Sequence, residues 1–387
     1  MILLLTVICI GYVGLGIPDS LFGAAWPAIY TGFGVPFSLA GAVSVTISAM
    51  TTLSGLMSAR VVARLGTRRV AMLSTFLTAA ALIGYSFAPD MRFIILLSVP
   101  LGLGAGGIDS ALNNYVALNF KAWHMSLLHA FYGVGVTAGP YIMGLLISGA
   151  DGWRGGYRAA FFIQLCITAV LIASRPLWKK TGSAGGETEP QETRVVPLKE
   201  LATMPKVRAA WFMFIGSCAV EVTCGNWGAT YLVEHRGLAP DKAASLITFY
   251  YLGMTLGRLA SALVTRRISS RTVITAGEAV VFAAITALLL PLPLPACIAA
   301  MFFIGFGNGP LFPNMSHLTP QVFGREISQS VMGTLMAAAS LGIMTLPPLF
   351  GLLAQALGTG IFAWYLLAMF AILLVSTARM RYLERKT

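Results

Sequence analysis

The sequence predicts an all-α membrane protein built from twelve transmembrane helices. Three observations carry that prediction. Of 387 residues, 57% are hydrophobic and only 10% charged, whereas soluble domains carry about 25% charged residues. No compact soluble fold hides so much apolar surface. Twelve apolar runs recur along the chain, each near the roughly 20 residues that cross a bilayer core about 30 Å thick. One polar stretch divides them six and six. The runs are too long for barrel strands, and in lipid each must satisfy its backbone groups within itself, so they read as helices.

The first run covers 2–30. Its start, MILLLTVICIGYVGLGIP, has no basic leader region and no clear small-residue cleavage site. It therefore reads as a span and not as a removed signal. The next five runs cover 37–62, 69–88, 92–118, 124–149 and 158–178, making 1–178 an N-terminal six-helix bundle. Residues 179–206 contain KKTGSAGGETEPQETRVVP. That composition buries no core of its own and reads as a cytoplasmic linker. The remaining runs cover 207–233, 243–265, 271–291, 294–318, 327–351 and 356–378, so 207–387 forms a C-terminal six-helix bundle. Pro310 and Pro313 should disturb the hydrogen-bond ladder of the tenth run.

Charge tests the topology. With the N-terminus inside, 20 of the 26 Lys and Arg residues fall on the side of the termini. Five (Arg92, Arg154, Arg158, Arg236 and Lys242) fall on the other, and Arg258 sits within a helix. Such a bias places both termini in the cytoplasm, with the inner (plasma) membrane of a bacterium as the expected location. It also explains the net charge of +12 without nucleic acid as a partner. The cysteines Cys9, Cys166, Cys218, Cys224 and Cys297 lie in apolar runs with no CxxC or metal-ligand spacing, and read as reduced packing residues. The series Gly102-x-Gly104-x-Gly106 follows no strand and opens no βαβ unit, so it is no dinucleotide fingerprint and serves close helix approach instead. No nucleophile triad, zinc spacing or phosphate loop is present. An enzyme and a resident cofactor or metal are not expected.

An internal repeat appears at an offset of 203 residues. Ala59, Arg64, Leu65, Gly66, Arg68 and Val70 fall on Ala262, Arg267, Ile268, Ser269, Arg271 and Val273, and Gly102, Gly104 and Gly106 fall on Gly305, Gly307 and Gly309. Two matches at one offset argue for duplicated halves. Parallel repeats of this kind, with a site near the midplane, are a transporter architecture.

The basic turn Ala59-Arg-Val-Val-Ala-Arg-Leu-Gly-Thr-Arg-Arg69 resembles the loop between helices two and three of the major facilitator superfamily. That family usually has an acid where this chain has Ala63, and Arg266 holds the equivalent place in the second half. GLGAGGIDSALNNYVALNF in the fourth run and SLLHAFYGVGVTAGP in the fifth are similar to the fucose–galactose–glucose proton symporter branch. The branch carries an acid and, four residues later, an Asn in its fourth helix, matched here by Asp109 and Asn113. Its first-helix acid is matched by Asp19, and its polar fifth-helix residue by His129. The resemblance implies the major facilitator fold with two pseudo-symmetric six-helix bundles. It further implies a monomeric carrier moving a small polar solute, a sugar, together with protons.

Four acids lie in spans: Asp19, Asp109, Glu221 and Glu278. A carboxylate at mid-bilayer costs at least about 2.5–3.5 kcal/mol on insertion scales, so such groups face a cavity or a partner. Asp19, Gly23 and Trp26 share one helix face, as do Gly102, Gly106, Asp109 and Asn113. A carboxylate whose exposure to water changes takes up and releases a proton, which suits Asp19 and Asp109 to proton coupling. His129 acts either as a relay or as a fixed hydrogen bond. Asn113, Asn114 and Trp26 suit a polyol, since amides bond hydroxyls and an indole covers the apolar side of a sugar ring. Glu221, with Asn226 and Trp227, is the second half's expected contribution, joined by Asn308 and Asn314 in the proline-broken tenth run. Glu278 reads as a partnered structural acid, and Arg258 as a snorkelling or locally paired cation.

Direction does not follow from the fold. Gly135-Val-Thr-Ala-Gly139-Pro140 through Gly144 partly resembles a glycine–proline motif associated with antiporters, so a proton-driven exporter of drugs or metabolites is the alternative. A sodium-coupled symporter is another. A non-transporting sensor has no signalling domain to support it.

Overall fold

The computed structural model describes residues 2–120, 122–178 and 196–386. Met1, Lys121, residues 179–195 of the polar stretch, Thr387, and the side chains of Ala59, Arg60, Ala63, Asn114, Ala117, Leu118, Ala122, Trp123, Ser126, Arg325 and Gln329 lie outside the described residues. Among the described residues the chain is nearly all helix, and twelve helical stretches are long and apolar enough to cross a membrane.

In order these are α1 (Ile2–Phe33), α2 (Ala40–Leu65), α3 (Thr67–Ser86), α4 (Met91–Asn119), α5 (Ala122–Ile147) and α6 (Trp153–Ala173). Two short helices follow, α7 (Arg175–Trp178) and α8 (Leu198–Thr203). Then come α9 (Pro205–Glu234), α10 (Pro240–Val264), α11 (Ser270–Leu288), α12 (Leu294–Asn308), α13 (Leu311–Phe323), α14 (Arg325–Leu357) and α15 (Phe362–Arg385). The expected tenth span is the pair α12–α13, broken at Gly309–Pro310. The sixth starts earlier than expected, after Gly152 at φ +55°, and ends at Ser174. Asp90 starts α4 by accepting from the Arg92 and Phe93 amides at 2.9 and 3.2 Å, satisfying two N–H groups that a helix leaves orphaned.

The chain divides into two compact units, Met1–Gly186 with Gly225–Tyr251, and Glu187–Cys224 with Leu252–Thr387. Helices α9 and α10 are thus each shared between the units.

The first unit is held by backbone-to-backbone approaches. A Cβ at Gly106 would stand 2.2 Å from the Thr51 carbonyl oxygen, and one at Gly104 would stand 2.7 Å from that of Ser74. Glycine lets α4 lie directly on α2 and α3, which matters where lipid supplies no hydrophobic force between helices. In the second unit a Cβ at Gly309 would stand 2.5 Å from the Met254 carbonyl oxygen, and one at Gly307 would stand 2.7 Å from that of Gly277. These are the same contacts moved by 203 residues, so the repeat seen in the letters recurs in the packing. The halves diverge at the turn, where Gly66 adopts φ +79° while Ser269 accepts from the Thr272 amide as a helix cap.

Two prolines free carbonyls that side chains then occupy. Pro18 has no N–H for the Gly14 carbonyl four residues back, and the Gln164 amide of α6 donates to it at 2.7 Å. Pro313 likewise leaves the Gly309 carbonyl unserved, and Arg258 Nε donates to it at 3.3 Å.

Candidate functional site

Helices α1, α4 and α5 bring the first unit's expected residues together. Asp109 Oδ1 accepts from the Tyr12 hydroxyl at 2.9 Å and from the Asn113 amide at 2.9 Å. The Asn113 bond follows from i, i+4 spacing on α4. Tyr12 is fully buried and meets His129 edge to face, with ring centroids 5.8 Å apart. Two turns further along α1, about 10 Å by helical rise, Asp19 Oδ2 accepts from the Tyr132 hydroxyl at 3.0 Å. Asp19 and His129 are exposed, while Asp109 and Asn113 are half-buried. Tyr132 follows His129 by three residues and so shares its face of α5. The result is a polar line running from Asn113 through Asp109 and Tyr12 toward Tyr132 and Asp19.

The partners are what separate the four acids. Among the described residues, Asp19 and Asp109 bond only neutral donors. Glu221 instead pairs with Arg258 at 3.0 Å, and the Asn308 amide lies 3.4 Å from its other oxygen. Glu278, buried, accepts from the Thr377 hydroxyl at 2.6 Å and pairs with Arg381 at 3.3 Å. A cation beside a carboxylate offsets its charge, whereas neutral donors offer it hydrogen bonds alone.

Four residues expected at a solute surface, Trp26, Trp227, Asn308 and Asn314, are buried among packing partners. Trp26 is fully buried against Phe22 and Tyr30, and its indole N–H donates to the Phe37 carbonyl at 2.9 Å. Trp227 is buried edge to face with Phe37. Asn308 is fully buried beside Ser217. Asn314 is buried, donating to Ser261 Oγ and the Pro310 carbonyl at 2.8 Å each. Asn226 is half-buried and donates to Ser44 Oγ at 3.0 Å. The expected role of Asn114 falls on a side chain outside the described residues. Among the described residues no group of His, Cys, Asp and Glu forms a metal cluster.

Tyr12, Tyr132 and Gln164 were not singled out from the sequence. Tyr12 precedes Asp19 by seven residues, a helical-face spacing that would have flagged it. Gln164 had a clearer signal: Pro18 creates an orphan carbonyl that a donor must fill.

The first unit also contains a seam at the end of the helices remote from the chain termini. A Cβ at Gly23 would stand 2.3 Å from the Gly225 carbonyl oxygen, and one at Gly144 would stand 2.7 Å from the Ser245 amide nitrogen. The Tyr30 hydroxyl donates to the Glu234 carboxylate nearby. Segment 225–251 is thus packed against α1, α2 and α5 without room for added side chains.

The motif Gly135 to Gly139 is accounted for by packing. A Cβ at Gly135 would stand 2.3 Å from the Val13 carbonyl, and one at Gly139 would stand 2.8 Å from that of Ile17. These glycines seat α5 on α1.

Comparison with known proteins agrees with this architecture. "Bypass of stop codon protein 6" of Saccharomyces cerevisiae is 24% identical over 403 residues, covering 93% of this chain and 79% of that protein. The 3-(3-hydroxy-phenyl)propionate transporter of Escherichia coli is 24% identical over 77% of this chain and 73% of its own. Among solved structures, a D-xylose–proton symporter superposes with a TM-score of 0.74 at 14% identity, covering 97% of this chain and 96% of that one. A bacterial homolog of the human lysosomal transporter Spinster, inward-facing and occupied, gives 0.72 at 15% over 99% and 97%. At such identities the structures speak for the fold alone. The model of the Major Facilitator Superfamily matches residues 8–242 and 222–387, and the chain belongs to that superfamily, as an integral membrane transporter of a small-molecule solute.

Proposed function

We propose that this transporter moves a small polar solute, a sugar, by proton symport through alternating access, with the termini in the cytoplasm and a bacterial inner membrane as its location. The observation that carries the reading is the contrast among the intramembrane acids. Asp19 and Asp109 bond neutral donors, while Glu221 and Glu278 are neutralised by Arg258 and Arg381. A carboxylate without a cation changes protonation at lower cost when its surroundings change. Asp109 and Asp19 are therefore the proton carriers, and the Tyr12 and Tyr132 hydroxyls hold them in place. His129, beside Tyr12, relays the proton.

Asn113 has an amide hydrogen on Asp109, and its amide oxygen can accept from a solute hydroxyl. Loading and protonation are then joined through one carboxylate oxygen. Glu221 and Asn226, half-buried in spans, are the second half's polar contributors. The sequence halves 1–178 and 207–387 are the parts that move, joined by the linker 179–206. The fucose–galactose–glucose branch resemblance and the named activity of the D-xylose–proton symporter support a sugar. The named substrate of the Escherichia coli relative, an aromatic acid, is the counterweight. The antiporter-like glycine motif favours export less once its glycines serve helix packing.

The test is uptake into proteoliposomes of radiolabelled hexoses, deoxyhexoses and disaccharides, with 3-(3-hydroxyphenyl)propionate alongside. Each runs under an inward proton gradient, a sodium gradient, and neither. Accumulation of one sugar under the proton gradient alone supports the reading. Accumulation under sodium alone removes proton coupling, and accumulation of the acid alone removes the sugar. Movement of no solute inward brings the exporter to the front.

A further inference from the structure

The second unit contains a half-open cavity lined by α9, α11, α13, α14 and α15. Its lining residues all belong to the second unit, whereas Asp19 and Asp109 belong to the first. Its walls include Met213, Phe214, Met315, Leu335 and Met380, and its rim holds Arg271, Arg381 and Glu384. The cavity opens where α9, α11 and α14 begin and α13 and α15 end.

Depth follows from the helices. Met213 lies eight residues into α9, and Leu335 lies ten residues into α14. At 1.5 Å per residue the cavity reaches about 12–15 Å inward. That matches one leaflet of hydrocarbon, half of about 30 Å. The wall of Met, Phe and Leu side chains suits an acyl chain.

The rim selects the head. Arg271 pairs with Glu384 at 3.1 Å but keeps 56% of its side chain exposed. Arg381 is 42% exposed beside Glu278. Lys206 and Arg208 open α9 just before Ala210 of the wall, and Arg379, Arg385 and Lys386 accompany Arg381 at the end of α15. Against them stand Glu384 and Glu326. Basic pockets between transmembrane helices favour phosphate head groups, and guanidinium groups bond phosphate oxygens in pairs.

We propose that this cavity holds one acyl chain of an anionic membrane phospholipid, with its phosphate at Arg271 and Arg381. The lipid wedges between α9, α14 and α15 at their membrane-surface ends. The occupant is a resident lipid and not the transported solute.

The test uses the full-length protein in vesicles containing phosphatidylglycerol with a photoactivatable group on one acyl chain, or the matching phosphatidylcholine. After illumination the labelled peptides are mapped. Label on the peptides carrying Met213, Met315, Leu335 or Met380, several-fold stronger with phosphatidylglycerol, supports the proposal. Arg271→Gln, at an exposed side chain, should bring the phosphatidylglycerol label down to the phosphatidylcholine level. Leu335→Trp, which fills the cavity, should remove both. Equal labelling by the two lipids, label confined to other peptides, or undiminished labelling in both variants overturns it.

Discussion

Gly23 offers a sharp test of the seam between α1 and segment 225–251. Replacing it with alanine puts a methyl 2.3 Å from the Gly225 carbonyl oxygen and 2.9 Å from the Asn226 Cα. Both are backbone atoms, so no side chain can swing aside. Ordinary contact begins near 3.4 Å, and the helices must part by about 1 Å. Overpacking of this sort costs about 1–3 kcal/mol, which moves a two-state equilibrium by roughly 5- to 150-fold. The reporter is Ser44→Cys in a Cys166→Ser background, since Ser44 accepts the Asn226 amide across the same seam and Cys166 is the exposed native thiol. Maleimide labelling at position 44 should rise by about 5-fold or more when Gly23→Ala is added. Gly144→Ala, against the Ser245 amide, should do the same. A folded Gly23→Ala protein with an unchanged labelling rate would falsify the idea that glycine is needed for this closure.

Other predictions follow from single contacts. Asp109→Asn should abolish proton-driven accumulation while leaving solute exchange at least partly intact, as measured by counterflow in the same vesicles; equal loss of folding, exchange and accumulation would remove the coupling role. Arg258→Gln strands Glu221 and the Gly309 carbonyl. It should cost about 1–3 kcal/mol and lower the thermal midpoint, with Glu221→Gln in the same chain restoring much of the loss. Gln164→Leu removes the donor to the Gly14 carbonyl beside Pro18, for a loss of about 1–3 kcal/mol in thermal unfolding. Tyr132→Phe keeps the ring but drops the hydroxyl on Asp19; proton-driven uptake should fall several-fold with the melting temperature nearly unchanged.

Much of the architecture was legible because a bilayer imposes a length and a composition on every span. The break at Gly309–Pro310 was readable for the same kind of reason, since proline's missing N–H is a local fact. What the sequence hid was the rotation of each helix about its axis. Trp26 looked like a sugar platform from its spacing to Asp19, yet α1 turns it into packed aromatics. Asn308 and Asn314 looked available in a broken helix, but their amides serve Ser217, Ser261 and the Pro310 carbonyl. Asp109's link to Tyr12 crosses 97 residues of chain, which no local pattern announces. Its link to Asn113, four residues away, was announced.

The glycine contacts repeated between Gly106 and Thr51, and between Gly309 and Met254, bear on how such a chain can age. In each pair one partner contributes an absent side chain and the other a carbonyl oxygen. Every residue owns a carbonyl, so the approach itself asks nothing of the second side chain, and Thr51 stands in one half where Met254 stands in the other. Only the glycine is held. After enough divergence the two copies share little beyond the intervals between their glycines. Those intervals are then the last written trace of the duplication, legible after the remaining letters have been overwritten.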